Sequence, residues 1–165
     1  MDAPRDHVAR LMDQWAAERP EIDVSPMGII GRLHRLADHL HGELRPVFAG
    51  AGLSDGDFDV LASLRRAGAP YSLTAGDIAV WTMVTSGAVT KRVDRLVEAG
   101  LVRREVAPDD GRSRVITLTD EGRALIDELF PQHIDNEHRL LAGLSEAERR
   151  RLASLLETWC LDLGL

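Results

Sequence analysis

The stretch "DIAVWTMVTSGAVTKRVDRLVEAGLVRREVAPDDGRSRVITLTDEG", Asp77–Gly122, decides the fold. It opens on the end of a short helical run near Val80. A second helix is predicted from about Ser86 to Ala99, because Val89, Val93, Leu96 and Val97 recur at the three-and-four spacing of a buried face. Ser86, Gly87, Thr90, Lys91 and Asp94 fall on the opposite side. Downstream, "LVRREV" alternates, "PDDG" supplies turn chemistry and "SRVITLT" alternates again, so two strands flank a tip that carries Arg112. Two helices followed by a hairpin predict a winged helix-turn-helix: a mainly α chain with a small β-hairpin wing.

Outward from this centre the patterning is helical. In "PRDHVARLMDQWAAERP" Val8, Leu11, Met12 and Trp15 mark a first amphipathic helix bounded by Pro20. A second begins at "SPMG", with Ser25 as cap and Pro26 in the first helical position. Ile30, Leu33, Ala37, Leu40, Leu44 and Val47 form its seam, and Pro46 is expected to kink or end it. Ser54 caps a third helix that stops near Gly68, and Thr74 caps a short fourth. Beyond the wing, Thr119 caps a helix expected to kink at Pro131 and run toward Leu141. Ser145 with Glu148 forms a capping box for a last helix with Leu152, Leu155, Leu156 and Trp159 on one face. These end helices bury little within one small lobe. Residues 1–50 and 119–165 are therefore read as mainly dimerisation helices of a single domain, 1–165, around the winged region 51–118.

Composition agrees with one folded, soluble domain of 165 residues: 44% apolar and 28% charged. No run approaches the ~18 apolar residues of a membrane span, and "MDAPRDHVAR" lacks the order of a secretion signal, so the chain is expected in the cytoplasm with no membrane partner. The lone Cys160 fits a reducing compartment. Aromatic residues at 4% are too few for a base-stacking platform. The net charge of −7 is unevenly spread: Thr85–Arg114 holds seven Lys/Arg against five Asp/Glu, a net +2, which leaves −9 elsewhere.

Small residues at the start of the Ser86 helix would let its end enter a major groove while Lys91 and the hydroxyls reach phosphates and base edges. An arginine on a protruding wing suits a narrow, electronegative minor groove, and Asp110 can orient it. The candidate DNA-binding set is Thr85, Ser86, Gly87, Thr90, Lys91, Arg92, Asp110, Arg112 and Arg114. A solvated helix face and an exposed turn with a local ion pair are the plainer alternatives. A two-fold dimer would present two such helices to successive grooves of pseudo-palindromic double-stranded DNA.

The segments "LTAGDIAV", "TSGAVTKRVDRLVEAGLVRR" and "DDGRSRVITLTDEG" resemble the MarR family of bacterial transcriptional regulators. Many members carry Asp-Arg-Arg at the wing, where this chain has Asp110-Gly111-Arg112; the tip arginine stays and one possible phosphate contact is lost. The additional first helix with Trp15, "ERPEIDVSPMGIIGRLHRLADHL" and "LRPVFAGAGLSDGDFDVLASLRRAG" resemble the branch typified by PecS, HucR and TamR. That resemblance implies an effector-binding quartet of Trp15, Asp59, Arg92 and Arg104. It further implies a repressor released from its operator by a small anion, urate first and citrate or trans-aconitate next. Two guanidiniums, a carboxylate and an indole are chemically suited to such an anion.

Two sensing alternatives use other residues. His34, His39 and His41, with His133 and His138, suggest a metal, although the first three do not share one helical face. Cys160 suggests a redox switch. No phosphate-binding glycine loop, H-E-x-x-H or nucleophile elbow points to an enzyme, a resident metal or a cofactor.

Overall fold

A computed structural model of the chain describes residues 5–82, 86–106 and 114–165, with residues 86–88 described in their backbone alone. The chain divides into two compact units, Met1–Glu43 and Leu44–Leu165.

In the first unit, α1 (His7–Glu18) starts at Asp6, whose carboxylate accepts from the Ala9 amide at 2.8 Å. The same carboxylate receives Nε and Nη2 of Arg32 from α2 at 2.7 and 3.1 Å. This bidentate pair holds the Asp6 carboxyl down at about 2. Val8 is buried over Gly31, and Met12 lies over Gly28, so two glycines let the helices approach.

Helix α2 (Met27–Ala49) departs from expectation at its start. Ser25 does not cap it. Its hydroxyl donates to Asp23, and the Pro26 carbonyl accepts the first helical amides, from Ile29 and Ile30. Of the two outcomes open at Pro46, a kink or an end, the helix does not end. The helix runs on to Ala49 because Phe48 is buried against Phe58, ring centroids 4.4 Å apart, and packing outweighs the one amide bond that proline cannot make. Along the rest of its seam Ile30 and Ala37 remain exposed.

The second unit starts from Ser54, which caps α3 (Asp55–Arg66) in a reciprocal box with Asp57. A strand that periodicity did not predict follows, β1 (Ser72–Thr74), and Thr74 then caps α4 (Ala75–Trp81) with Asp77. Next come α5 (Ser86–Glu98), β2 (Val102–Val106), β3 (Arg114–Leu118), α6 (Asp120–Leu140) and α7 (Glu146–Leu163). The sheet is antiparallel in the order β1-β3-β2, with Leu73 and Arg104 opposite Ile116 on either side. The expected two-stranded wing thus gains a third strand that ties its base to α4.

The core gathers Val60, Leu61 and Leu64 of α3 with Ile78, Val89, Val93, Leu96, Ile116 and Ile126. Val97, expected on the buried face, is instead 40% exposed. Gly122 admits α6 to this core, since a Cβ there would overlap the Leu101 carbonyl oxygen. Pro131 lies within a continuous α6 whose Ile126 and Leu129 are buried. Helix α7 buries none of its residues, and Leu155 is 61% exposed.

Candidate nucleic-acid interface and effector site

Helix α5 is held from beneath by valine and leucine, which leaves Thr90, Lys91 and Asp94 exposed on its other side. Arg95 anchors it to α3 by donating Nη2 to Asp57 Oδ1 at 2.8 Å. Burial would raise the Asp57 carboxyl, yet the hydrogen bonds from Ser54 and Arg95 outweigh it and hold the group below the usual carboxylate range. Capping box and helix anchor therefore share one carboxylate. Of the remaining DNA-binding candidates, Thr85, Asp110 and Arg112 lie outside the described residues, as do the side chains of Ser86 and Gly87. Arg114 opens β3 opposite Val106, with an exposed side chain.

Arg92 points elsewhere than Lys91. Its guanidinium lies on the backbone of Gly56 in α3, where a Cβ would overlap it. Its Nη1 is buried and donates to no hydrogen-bond partner among the described residues. The nearby charge is Asp59, one turn along α3. Asp59 is accessible at its surface, but the atoms crowded beneath it strip solvent and push its carboxyl up. Arg92 opposes that shift and Asp55 adds to it. Arg92, expected both at DNA and at an effector, thus sits between α5 and α3 rather than with Lys91 on the outer side of α5.

Arg104 is engaged on another side of α5, where its Nη2 donates to Asp94. With Arg114, Thr90, Ala75, Val89, Val93 and Ile116 it lines a cavity of about 80 Å³. The structure thus brings Asp59 and Arg92 together and pairs Arg104 with an acid two residues further along the same helix. Trp15 belongs to the first unit and is 49% exposed.

Sequence reading missed three participants. Gly56 carries no signal in the sequence. His133, read in the sequence only as a possible metal ligand, packs among Phe48, Phe58 and Phe130, gives Nε2 to Glu137 at 3.1 Å, leaves Nδ1 buried without a partner among the described residues, and acts electrostatically on Asp59. Arg66 donates to the Trp81 carbonyl at 2.9 Å. Only contacts distant in sequence reveal these roles. Among the described residues, no group of three or more His, Cys, Asp or Glu could hold a metal ion, and no helix is long and apolar enough to cross a membrane. Cys160 is exposed.

Comparison with known proteins bears on this geometry. The profile described as MarR family matches residues 51–113, the segment from the start of α3 to the wing. The HTH-type transcriptional regulator PecS of Dickeya dadantii is 42% identical over 149 residues, 90% of either chain. The HTH-type transcriptional repressor YetL of Bacillus subtilis is 27% identical over 150 residues, covering 91% of this chain and 87% of its own. Among solved structures, BpsR of Bordetella bronchiseptica, whose DNA binding is regulated by 6-hydroxynicotinic acid, superposes with a TM-score of 0.70 at 28% identity, covering 79% of this chain and 91% of BpsR. A mutant of MarR from E. coli complexed with operator DNA gives 0.69 at 29% identity, covering 83% and 98%.

Proposed function

The chain belongs to the MarR family of transcriptional regulators and is not an enzyme, and from that premise we propose that it is a ligand-responsive repressor acting as a homodimer on pseudo-palindromic operator DNA. Two α5 helices would enter successive major grooves with Thr85, Ser86, Gly87, Thr90 and Lys91 at the base edges and phosphates. Arg112, oriented by Asp110, and Arg114 would follow the adjacent backbone and minor groove. The unburied apolar face of α7 supports a partner subunit, because such a stripe is costly in water. The operator-bound MarR relative supports the DNA role. The reading requires no cofactor and places the protein in the cytoplasm with its DNA.

Release is proposed to follow when a small anion, urate first and citrate or trans-aconitate next, engages Trp15, Asp59, Arg92 and Arg104. The observation that carries this is Arg92 Nη1, buried and without a hydrogen bond among the described residues, beside a desolvated carboxyl. A buried charged donor left unpaired costs roughly 1–3 kcal/mol, so a ligand oxygen that satisfies it gains that amount directly. Since Arg92 is part of α5, movement of its guanidinium moves the reading helix. BpsR, regulated by a hydroxylated aromatic acid, supports a planar anion as the class.

The test is binding of the protein to DNA from its own upstream region, followed by fluorescence anisotropy with and without urate, citrate and trans-aconitate. Tight, salt-sensitive binding that one of these reverses is expected. Absence of binding to that DNA counts against an operator there, and release by none of the three refutes the effector assignment.

A further inference from the structure

Arg66, the last residue of α3, is a cation that the reading above leaves unused. It holds Trp81, the last residue of α4, in two ways. Its Nη2 donates to the Trp81 carbonyl at 2.9 Å, and its guanidinium carbon stands 5.4 Å from the centroid of the indole. That carbonyl is among the four a helix leaves without an internal partner, and a cation there also meets the negative end of the helix. Trp81 is 57% exposed, so little else fixes it, and α5 begins five residues later at Ser86.

The same guanidinium lines an open groove of about 360 Å³ between α3 and α6, with Ala62, Arg65, Asp127, Phe130 and Pro131. Arg65 is neutralised there by Asp127 at 2.6 Å. Arg66 has no carboxylate in ion-pairing distance among the described residues. Asp59 lies seven residues back along α3, hence on the same face, and its carboxylate feels the Arg66 charge. One guanidinium therefore stands between two attractions: the end of α4, and negative charge beside Asp59.

We propose that Arg66 is a positioning residue that couples the Asp59–Arg92 anion site to the start of the reading helix. The inference rests on the effector reading of that site. An anion held beside Asp59 and Arg92 adds negative charge on the groove side, draws Arg66 off Trp81, and frees the end of α4 from which the chain enters α5. The ligand shifts DNA binding only through this difference between the two states. Asp59 acts on the same balance more weakly, so its charge alone opposes the hold on Trp81.

A double-mutant cycle on operator affinity needs no ligand to test this. Asp59→Asn removes one attractor of Arg66 and should tighten operator binding about threefold in the parent, yet leave Arg66→Met unchanged. With urate, Arg66→Met should still bind the ligand by calorimetry within about threefold of the parent, while the ratio of operator affinities without and with urate falls toward one. Arg66→Lys, which keeps the charge and the ring contact, should restore part of that ratio. If Arg66→Met does not fold, Arg66→Gln, which keeps a donor but no charge, enters the cycle with the same expectation. Equal effects of Asp59→Asn with and without Arg66, in variants of unchanged melting temperature, would overturn the proposal. A parent that urate neither binds nor releases overturns the effector assignment instead, and the ligand-free cycle still decides for or against Arg66.

Discussion

The guanidinium of Arg92 rests on the backbone of Gly56, in a space that any side chain at that position would fill. This contact joins α5, which carries the DNA-reading candidates, to α3, which carries Asp59. Replacement of Gly56 by alanine tests it without changing any charge. In a helix alanine is favoured over glycine by up to about 1 kcal/mol, so stability should hold or rise. Arg92 must leave its seat. Gly56→Ala is expected to keep the parent melting temperature and lose at least about fivefold of the urate-dependent change in operator affinity. An unaltered response would mean that the seat of Arg92 is irrelevant to sensing.

At the DNA surface two cations should behave differently. Lys91 is exposed at the outer side of α5, and a phosphate contact there adds about 0.9 to the slope of log affinity against log salt. Lys91→Ala should reduce the measured slope by that amount for operator and random DNA alike. Arg112→Ala should instead weaken operator binding more than random binding, as loss of minor-groove shape reading does. Identical losses on both DNAs would remove the wing from sequence discrimination.

Much of this architecture was legible because it is local. Ser54, Thr74, Thr119 and Ser145 announced their helices through chemistry confined to four residues, and the valine spacing of α5 and the alternation of β2 and β3 marked the reading head. What failed was non-local. β1 is three residues long and exists through pairing with β3, more than forty residues away. At Pro46 the sequence left open whether the helix kinks or ends, and the burial of Phe48 decides that it runs on, whereas α6 continues past Pro131 toward Leu141 as expected. At the site, Asp59 and Arg92 were expected from the family resemblance alone, and only the fold shows Gly56 beneath Arg92, and Arg104 committed to Asp94.

Asp6 has two duties, capping α1 and pairing with Arg32 of α2, and its carboxyl is lowered to about 2 by the Arg32 hydrogen bond and the Ala9 amide. A depressed carboxyl contributes stability that is fully present above its unfolded value, about 4, and is lost as pH falls through about 2. Asparagine caps equally well but carries no charge. The parent's advantage over Asp6→Asn in melting temperature should therefore be constant from pH 5 to 8 and shrink below about pH 4. A gap independent of pH would show that the pair with Arg32 adds nothing beyond the cap.

Asp59 has the opposite shift: burial raises its carboxyl, so the folded state disfavours the charged form. The penalty is present above the folded value and disappears as pH falls. Anion binding at the site should follow the same sign, since an ionised Asp59 repels the ligand and a protonated one donates to it. Urate affinity for the free protein, by calorimetry, should rise as pH is lowered toward the range in which the raised Asp59 carboxyl takes up its proton. Asp59→Asn should flatten that dependence. A steep profile that survives the substitution would assign the titration to another group.

Arg104 supplies the most demanding test, because its guanidinium is already bonded to Asp94. An anion that uses Arg104 must compete with that carboxylate, so Asp94 limits affinity from within the site. Asp94→Asn should tighten urate binding to the free protein by about threefold or more, as removal of a competing charge does. Arg104→Ala should weaken it at least about tenfold, or 1.4 kcal/mol, while most operator affinity remains. The readouts must be kept apart, since Asp94 is exposed on the side of α5 that would face DNA, and loss of a negative charge there strengthens operator binding by itself. Calorimetry on free protein isolates the competition. By linkage, any gain in urate affinity must be weighed against the affinity of the operator-bound dimer for urate, because only the difference between the two drives release. If Arg104→Ala leaves its operator at the same urate, citrate or trans-aconitate concentrations as the parent, Arg104 takes no part in sensing, and its bond to Asp94 serves only to brace β2 against α5.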